Sequence, residues 1–249
     1  MKRAIVIGAS SGIGRAVASL LVEKGWRVAI TARRTDALDE LRAMYGADRV
    51  MTMAMDVTKV EATTTLDRLI SEFGAPDLLF YASGIGGQNP QLDIEKELDI
   101  IRTNCEGMVR VVDHFVNFVR SSGEYDKKHK AHIAVITSVA GTRGLGSAPA
   151  YSASKAMQSE YITALSQLCS MESIPAKFTD IRPGFVKTAI LNPEKHYPML
   201  ISAQSAAQHI YRGIKHKRRV LIFDWRFKLL VGLWHLIPRF VWERLKVRN

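Results

Sequence analysis

Tyr151-Ser152-Ala153-Ser154-Lys155 places a phenol and an ammonium four residues apart. On a helix that spacing puts both groups on one face, where they can share a cavity. A free tyrosine has a pKa of about 10 and is a poor base near neutrality. A neighbouring cation stabilises the phenolate and lowers that value towards working pH. Such a pair can give a proton to a carbonyl oxygen or take one from an alcohol. By itself the spacing is common and carries little. Thirteen residues upstream, however, the apolar run 132–137 ends at Thr137-Ser138. Ligands in open parallel sheets sit at the C-terminal edge of the strands. Ser138 there can hydrogen-bond a substrate oxygen and steady it beside Tyr151.

A second constellation, Gly8-Ala9-Ser10-Ser11-Gly12-Ile13-Gly14, follows the apolar run 3–7 directly. Glycines let the backbone turn tightly and approach a pyrophosphate, and the helix behind directs its first N–H groups at that charge. Alone, such a turn is also an ordinary strand-to-helix connection. A site for NAD usually carries an acidic residue at the end of the second strand, for the ribose 2′-hydroxyl. That position reads Thr31-Ala32-Arg33-Arg34, with no carboxylate and two guanidinium groups. Arginine matches a 2′-phosphate in charge and in bidentate geometry. NADP(H) is therefore expected, with Arg33 the main contact, Arg34 beside it and Ser10 a helper. The competing reading is that both arginines solvate a helix start. Asp56-Val57 follows the third run. Asp56 can accept a bond from the adenine amino group, with the Val57 backbone beside it, or it can cap the helix starting near Lys59.

The elements that must hold these groups alternate. Apolar runs at 3–7, 27–31, 50–54, 78–81, 132–137 and 176–181 read as strands. Helical stretches at 12–24, 35–45, 59–73, 94–120 and 151–171 lie between them. Strands alternating with helices predict an α/β fold, a doubly wound parallel sheet of the Rossmann kind in a single domain. A length of 249 residues fits such a domain, and 47% hydrophobic residues exclude disorder. Residues 121–130, with five charges, read as a polar loop. Cys105 and Cys169 make no disulfide framework, so a reducing cytoplasmic setting is expected. The apolar run behind Met1-Lys2-Arg3 is too short for a signal core. No stretch reaches the roughly 20 apolar residues that span a bilayer. No metal is expected.

Over residues 1 to 211 the sequence resembles the short-chain dehydrogenase/reductase family. The motifs are Gly8-x-x-x-Gly12-x-Gly14, Asp56, Ala82-x-Gly84, Asn104, Ser138, Tyr151-x-x-x-Lys155 and Pro183-Gly184, in the family's order and spacing. The resemblance implies that Tyr151 is the general acid/base. It implies that Lys155 holds the nicotinamide ribose and lowers the Tyr151 pKa, and that Ser138 orients the substrate oxygen. Asn104 would sit at a mid-helix kink and hold a water in a proton relay to Lys155. Cofactor contacts are implied for Gly8, Ser10, Ser11, Gly12, Ile13, Gly14, Ala82 and Gly84. Pro183, Gly184 and Thr188 would lie over the nicotinamide, with Val186 giving backbone contacts. Homodimers or homotetramers that pack the long helices are also implied. Two positions depart from the family pattern. Tyr81-Ala82-Ser83-Gly84 replaces Asn-Asn-Ala-Gly, and Ser11 stands where some NADP-binding members carry a base. The expected reaction is hydride transfer between NADP(H) and a carbonyl/alcohol pair, with a hydrophobic or lipid-linked substrate in view. Alternatives are one half-reaction of a lipid-linked sugar epimerisation, and a catalytically idle NADP-binding scaffold. The intact set Asn104, Ser138, Tyr151 and Lys155 argues against the scaffold. Residues 189–202, where the family often covers its substrate, are mixed in polarity and name no substrate.

The net charge of +11 is concentrated at the end of the chain. Residues 212–249 hold eleven Lys/Arg against two Asp/Glu, a surplus of nine that leaves only two for the rest. Beyond Lys215-His216-Lys217-Arg218-Arg219, three tryptophans (Trp225, Trp234, Trp242) interleave with Arg226, Lys228, Arg239, Arg244, Lys246 and Arg248. The expected division is a catalytic domain at 1–211 and a basic, aromatic extension at 212–249. Residues 229–237 are apolar but too few to span a membrane. They can lie in its interface, with aromatics at headgroup depth and cations on anionic lipid. Peripheral membrane contact is the leading expectation, and packing against a partner subunit is the competing one. Nucleic-acid binding is not expected, because no module for it accompanies the charge.

Overall fold

The computed structural model describes residues 1–191, 196–245 and 247. Seven strands form one parallel sheet: β1 (Arg3–Ile7), β2 (Arg27–Ala32), β3 (Val50–Ala54), β4 (Leu78–Tyr81), β5 (Ala131–Ile136), β6 (Ala176–Ile181) and β7 (Val220–Leu221). Their order is β3-β2-β1-β4-β5-β6-β7. The order reverses between β1 and β4, which opens a crevice above the strand ends there. The helices are α1 (Gly12–Glu23), α2 (Asp36–Tyr45), α3 (Ala62–Phe73), α4 (Ile94–Ile101), α5 (Gly107–Ser121), α6 (Pro149–Met171), α7 (Ala203–Lys215), α8 (Trp225–Leu236) and the single turn α9 (Arg239–Trp242).

Alternation along each strand divides the core in two. Ile5, Ile7, Leu79 and Tyr81 point to one face, where they meet Leu66 and Phe73 of α3, Val111 and Phe115 of α5, and Ile162 of α6. Ala4, Val6, Leu78 and Phe80 point to the other, where Val17 and Leu21 of α1, Leu38 of α2 and Ile210 of α7 cover them. Strands buried on both sides need apolar residues at every position, which is the pattern read from the sequence.

Three expectations change. The helix expected over 94–120 is interrupted by a π-helical turn, Arg102–Glu106, between α4 and α5. The polar loop 121–130 carries a buried anchor: Tyr125 packs into the core and its hydroxyl donates to the Pro76 carbonyl at 2.8 Å. The break expected at residue 212 falls inside α7, and β7 beyond it pairs in parallel with β6. The segment expected to be an extension thus completes the sheet. Of its basic residues, Lys246 and Arg248 lie outside the described residues, as do residues 192–195 of the expected substrate cover.

At the opposite end of the sheet from the crevice, His132 of β5 is buried. The Thr179 hydroxyl donates to the Arg218 carbonyl at 2.6 Å, so it accepts at 2.8 Å from Nε2 of His132 and fixes the neutral Nε2–H form. Burial, with the charges of Lys177, Lys217 and Lys2, pushes the imidazole down to about 3. As pH falls from 6.5 towards 3, the unfolded chain takes up a proton that the folded one refuses, and stability is lost. His132→Gln keeps an N–H donor and removes this loss. Thermal unfolding at neutral and mildly acid pH should show a smaller drop for the variant than for the wild type; equal drops would mean His132 does not contribute.

Candidate active site

Two elements meet at the crevice. Strand β5 runs out at Thr137-Ser138, and α6 brings Tyr151 and Lys155 back beside it. The strand end is braced by charge. Asp180 at the end of β6 accepts from the Thr137 hydroxyl at 2.6 Å and from Arg182 Nε at 2.7 Å. Ser138 has extended backbone, and its Oγ accepts from Ala140 N at 3.1 Å, starting the short 3-10 turn Val139–Thr142. The start of α6 is held by α4: Glu97 accepts from Ala150 N at 2.7 Å with one oxygen and from Asn89 Nδ2 at 2.7 Å with the other.

Tyr151 is hydrogen-bonded to Ser138, which lowers its pKa, but burial is the larger effect and the hydroxyl stays above its ordinary value. The lowering expected from Lys155 is not seen in this arrangement. The Lys155 ammonium lies 5.9 Å from the centre of the Tyr151 ring and is engaged elsewhere. It donates to the Ile136 carbonyl at 3.0 Å and to Gln158 Oε1 at 2.9 Å. Burial pushes Lys155 down to about 8, against the weaker upward pull of Cys105 and Asp180.

Asn104 sits in the π-helical turn and is fully buried. Its side chain accepts from Ile85 N at 2.9 Å and donates to the Ile85 carbonyl at 2.8 Å and to Ser154 Oγ at 3.0 Å. Its backbone carbonyl accepts from Gln158 Nε2 at 2.7 Å. The Gln158 side chain thus links the Asn104 backbone to the Lys155 ammonium. Gln158, Glu97 and Gly86 are the positions sequence reasoning missed. The Tyr151 ring occupies the place where a side chain on Gly86 would stand. Only Gln158 had a readable signal, since it lies one further turn along the helix face of Tyr151 and Lys155.

The glycine turn lies across the crevice. Gly8 has φ of +86°, and a Cβ there would stand 2.6 Å from Ser83 N, so only glycine fits. At Gly14 the Gly8 carbonyl takes the place of a side chain, which brings α1 close to the strand. Ser11 caps α1 with extended backbone and no side-chain bond to the first amides. Those amides, the helix dipole and the bare glycine surface form a cradle that fits a pyrophosphate. Ser10 flanks this turn, and Ile13 packs beneath it on the α1 side of the sheet. Ala82 donates from its backbone to the Ile7 carbonyl at 2.8 Å, next to the turn. Gly84 faces the Asn104 amide and the Lys155 ammonium. Tyr81, in place of the family's asparagine, is wholly buried in the core.

Arg33 and Arg34 are exposed at the end of β2 and make no ion pair among the described residues. Asp56 Oδ1 accepts from Thr58 N at 3.0 Å and from its hydroxyl at 2.8 Å. Burial would raise this carboxyl, but the Thr58 bonds and the nearby charges of Arg33 and Lys59 hold it below its ordinary value. Asp56 thus builds a turn rather than capping α3, which starts at Ala62. Val57 is buried, and its carbonyl accepts from Arg110 at 2.8 Å. Thr188 sits over Gly12, its methyl 3.1 Å from where a Cβ would be. Val186 is buried and bridges to Ile201. The Pro183 carbonyl accepts from Val139 N at 3.0 Å, and the Phe227 ring of α8 fills the space a Gly184 side chain would need. A cavity of about 570 Å³ opens beside these groups, lined by Ser138, Tyr151, Phe185, Ile190, Tyr197, Phe227, Leu230 and Trp234 among others.

Comparison with known proteins agrees with this geometry. Residues 2–197 match the short chain dehydrogenase family. An uncharacterized oxidoreductase of Myxococcus xanthus (strain DK1622) is 31% identical over 244 residues, 95% of this chain and 93% of that one. The 3-oxoacyl-[acyl-carrier-protein] reductase FabG of Escherichia coli (strain K12) is 30% identical over 189 residues, 75% of this chain and 74% of that one. A short chain dehydrogenase/reductase from Burkholderia phymatum, solved in complex with NAD, shares the fold with a TM-score of 0.81 at 22% identity, covering 100% of this chain and 97% of that one. The chain belongs to the short-chain dehydrogenase/reductase family, a family of oxidoreductases that use nicotinamide nucleotides.

Replacing Gln158 tests the link between Asn104 and Lys155. Gln158→Leu takes an acceptor from the buried ammonium, which disfavours its charged form. Activity that needs protonated Lys155 falls as pH rises through about 8 in the wild type. In Gln158→Leu that fall should move to lower pH, with kcat at neutral pH down by about tenfold, the scale of one hydrogen bond to a charged group. Gln158→Glu should move the fall the other way. An unmoved pH profile in both variants would reduce Gln158 to a packing role.

Proposed function

We propose that this chain is an NADP(H)-dependent oxidoreductase that interconverts a carbonyl and an alcohol on a hydrophobic substrate. The observation that carries the reading is the cavity: Ser138 and Tyr151 open into a space whose wall is otherwise largely apolar. A carbonyl oxygen fits between the two hydroxyls, and an apolar body fits the rest. The Escherichia coli relative is named for reducing a 3-oxoacyl group, a carbonyl on an apolar chain.

In this reading Tyr151 donates a proton to the carbonyl oxygen as it gains negative charge, or takes the proton from an alcohol in reverse. Ser138 holds that oxygen and stabilises the developing charge. Lys155 supplies a positive charge beside the phenol and binds the nicotinamide ribose. Asn104 and Gln158 hold the Lys155 ammonium in place and connect it to the interior. The nicotinamide cofactor, when bound, supplies or receives the hydride at the carbonyl carbon. Gly8, Ser10, Ser11, Gly12, Ile13 and Gly14 hold its pyrophosphate, while Asp56, Val57, Ala82 and Gly84 flank the adenosine. Pro183, Gly184, Val186 and Thr188 cover the nicotinamide end. Arg33 and Arg34 are exposed and make no ion pair among the described residues, although Asp56 lies within electrostatic reach of Arg33, and two guanidinium groups at this position support a 2′-phosphate as a ligand. Such proton transfer is typically worth about 10²- to 10⁴-fold, and holding the reactants in register supplies much of the rest. Assembly through the long helices α4, α5 and α6 into a homodimer or homotetramer is part of the same proposal.

Two substitutions test separate halves of the reading. Tyr151→Phe should lower turnover by about 10²- to 10⁴-fold while NADPH still quenches protein fluorescence with unchanged affinity. Surviving turnover would remove Tyr151 from the proton-transfer role. Arg33→Ala should weaken NADPH by about 10- to 100-fold, the loss of one charge-assisted bond pair, and leave NADH unaffected. Equal weakening of both cofactors would refute the preference for NADP(H).

A further inference from the structure

Helix α8 carries large apolar side chains on two opposite sides, with Arg226 and Lys228 between them. One side, Phe227, Leu230, Val231 and Trp234, recurs at steps of three and four residues and is turned into the protein. Phe227, Leu230 and Trp234 form a wall of the cavity that holds Ser138 and Tyr151. The other side, Trp225, Leu229, Leu233 and Leu236, recurs at similar steps and faces solvent, at 72%, 56%, 51% and 78% exposure. Phe240 and Leu245 extend this exposed series beyond the helix. Amphipathic surface helices put polar residues where α8 puts Trp and Leu. Large side chains clustered in water mark a contact surface. At 12 residues α8 is about 18 Å long, well short of a bilayer core. No helix among the described residues is long and apolar enough to cross a membrane.

Charge selects the occupant. Residues 224–249 hold six Lys/Arg against two Asp/Glu. Arg226 pairs with Asp224 and Arg239 with Glu243, both at 2.8 Å. Lys228 and Arg244 have no carboxylate partner among the described residues. A second copy of the chain, docked about a two-fold axis, sets this cationic surface against itself. An anionic bilayer receives the aromatic and leucine side chains at its interface and the cations on its headgroups.

We propose that the solvent-facing side of α8, continued by Phe240 and Leu245, docks on an anionic lipid surface, so that α8 is at once the floor of contact and a wall of the substrate cavity. The identity of that cavity rests on the oxidoreductase reading above. Ile190 lines the cavity yet is 42% exposed, which puts the mouth on an apolar lip. The substrate class that fits is a membrane-resident molecule, a carbonyl or alcohol on a long hydrocarbon chain, which passes between bilayer and cavity with little exposure to water.

The test is sedimentation of the full chain with vesicles of phosphatidylcholine alone and of phosphatidylcholine mixed with phosphatidylglycerol. The wild type should pellet with the mixed vesicles, far less with the neutral ones, and less again at high salt. Leu229→Glu combined with Leu233→Glu should cut the bound fraction by roughly tenfold or more, since two charges replace two buried leucines. Neither residue lines the cavity, so NADPH turnover with a short water-soluble ketone should be unchanged. If that variant does not fold, Trp225→Ser with Phe240→Ser serves in its place. The proposal fails if the wild type ignores anionic vesicles, or if the variant pellets as the wild type does. It fails too if the variant, without lipid, loses a dimer, because the face then belongs to a second copy. Pelleting needs no turnover. A chain that pellets but never oxidises NADPH overturns the enzymatic reading alone, and an active chain that stays in solution overturns the docking alone.

Discussion

The site depends on an ammonium that the fold keeps out of water. Burying a lysine costs several kcal/mol unless its charge is met by hydrogen bonds. Lys155 meets no carboxylate directly. Its partners are two neutral oxygens, the Ile136 carbonyl and Gln158 Oε1. Each oxygen is fixed by a different element. The Ile136 carbonyl is the last of β5, so the strand's end point sets it. Gln158 is fixed from behind by the Asn104 carbonyl. That carbonyl reaches Gln158 from the π-helical turn, where the wider winding turns it off the path a regular helix would give. The kink between α4 and α5 therefore has a structural reason: it completes the solvation of a buried charge. The same turn aims the Asn104 side chain at Ile85 and Ser154, which ties the strand end after β4 to α6.

The glycine-rich side of the crevice obeys a different constraint, the lack of space. At Gly8 and Gly14 backbone atoms occupy the places of side chains. The close approach packs α1 against the sheet and leaves its first amides uncovered. Thr188, far along the chain, closes over Gly12. Arg33 and Arg34, by contrast, are exposed at the rim. On the proposed reading, pyrophosphate binding would rest on backbone and the choice between the two nicotinamide nucleotides on two exposed side chains.

Much of this was legible in the sequence, and the illegible parts have physical causes. Six strands could be read because double burial forces continuous apolar runs; four of them, including Val50–Ala54 and Leu78–Tyr81, have the bounds expected. β7 escaped because two residues beside a run of lysines and arginines leave no periodic signal. α7 was not read, although its buried residues Ala206, Ala207, Ile210, Gly213 and Ile214 recur at helical spacing. The glycines, Ser138, Tyr151 and Lys155 stood out by type and spacing, whereas Asn104 came only with the family resemblance. Glu97 did not stand out, because its role is set by a partner 53 residues away, and Gln158, though on the helix face of Tyr151 and Lys155, takes its role from the Asn104 carbonyl 54 residues away.

The placement of the C-terminal segment was not legible for a different physical reason. A helix apolar on one side announces which way it faces; α8 is apolar on both, so its sequence reads as an appendage of unknown orientation. Yet Phe227 lies against Gly184, within the Pro183-Gly184 motif, and Phe227, Leu230 and Trp234 wall the cavity. Arg143, after the 3-10 turn that follows Ser138, donates to the Trp234 and Ile237 carbonyls at 2.8 and 2.6 Å and fastens the end of α8 in place. The match to the family ends at residue 197, before α7, β7 and α8. Every residue proposed for proton and hydride transfer lies inside the matched part, and a major wall of the cavity lies outside it. The family match thus covers Ser138, Tyr151 and Lys155, while Phe227, Leu230 and Trp234 add part of the wall to a cavity lined mostly by residues upstream of α8. On the reading proposed above, α8 therefore contributes to substrate fit with one side, Phe227, Leu230 and Trp234, while its other side, with Leu229 and Leu233, faces solvent.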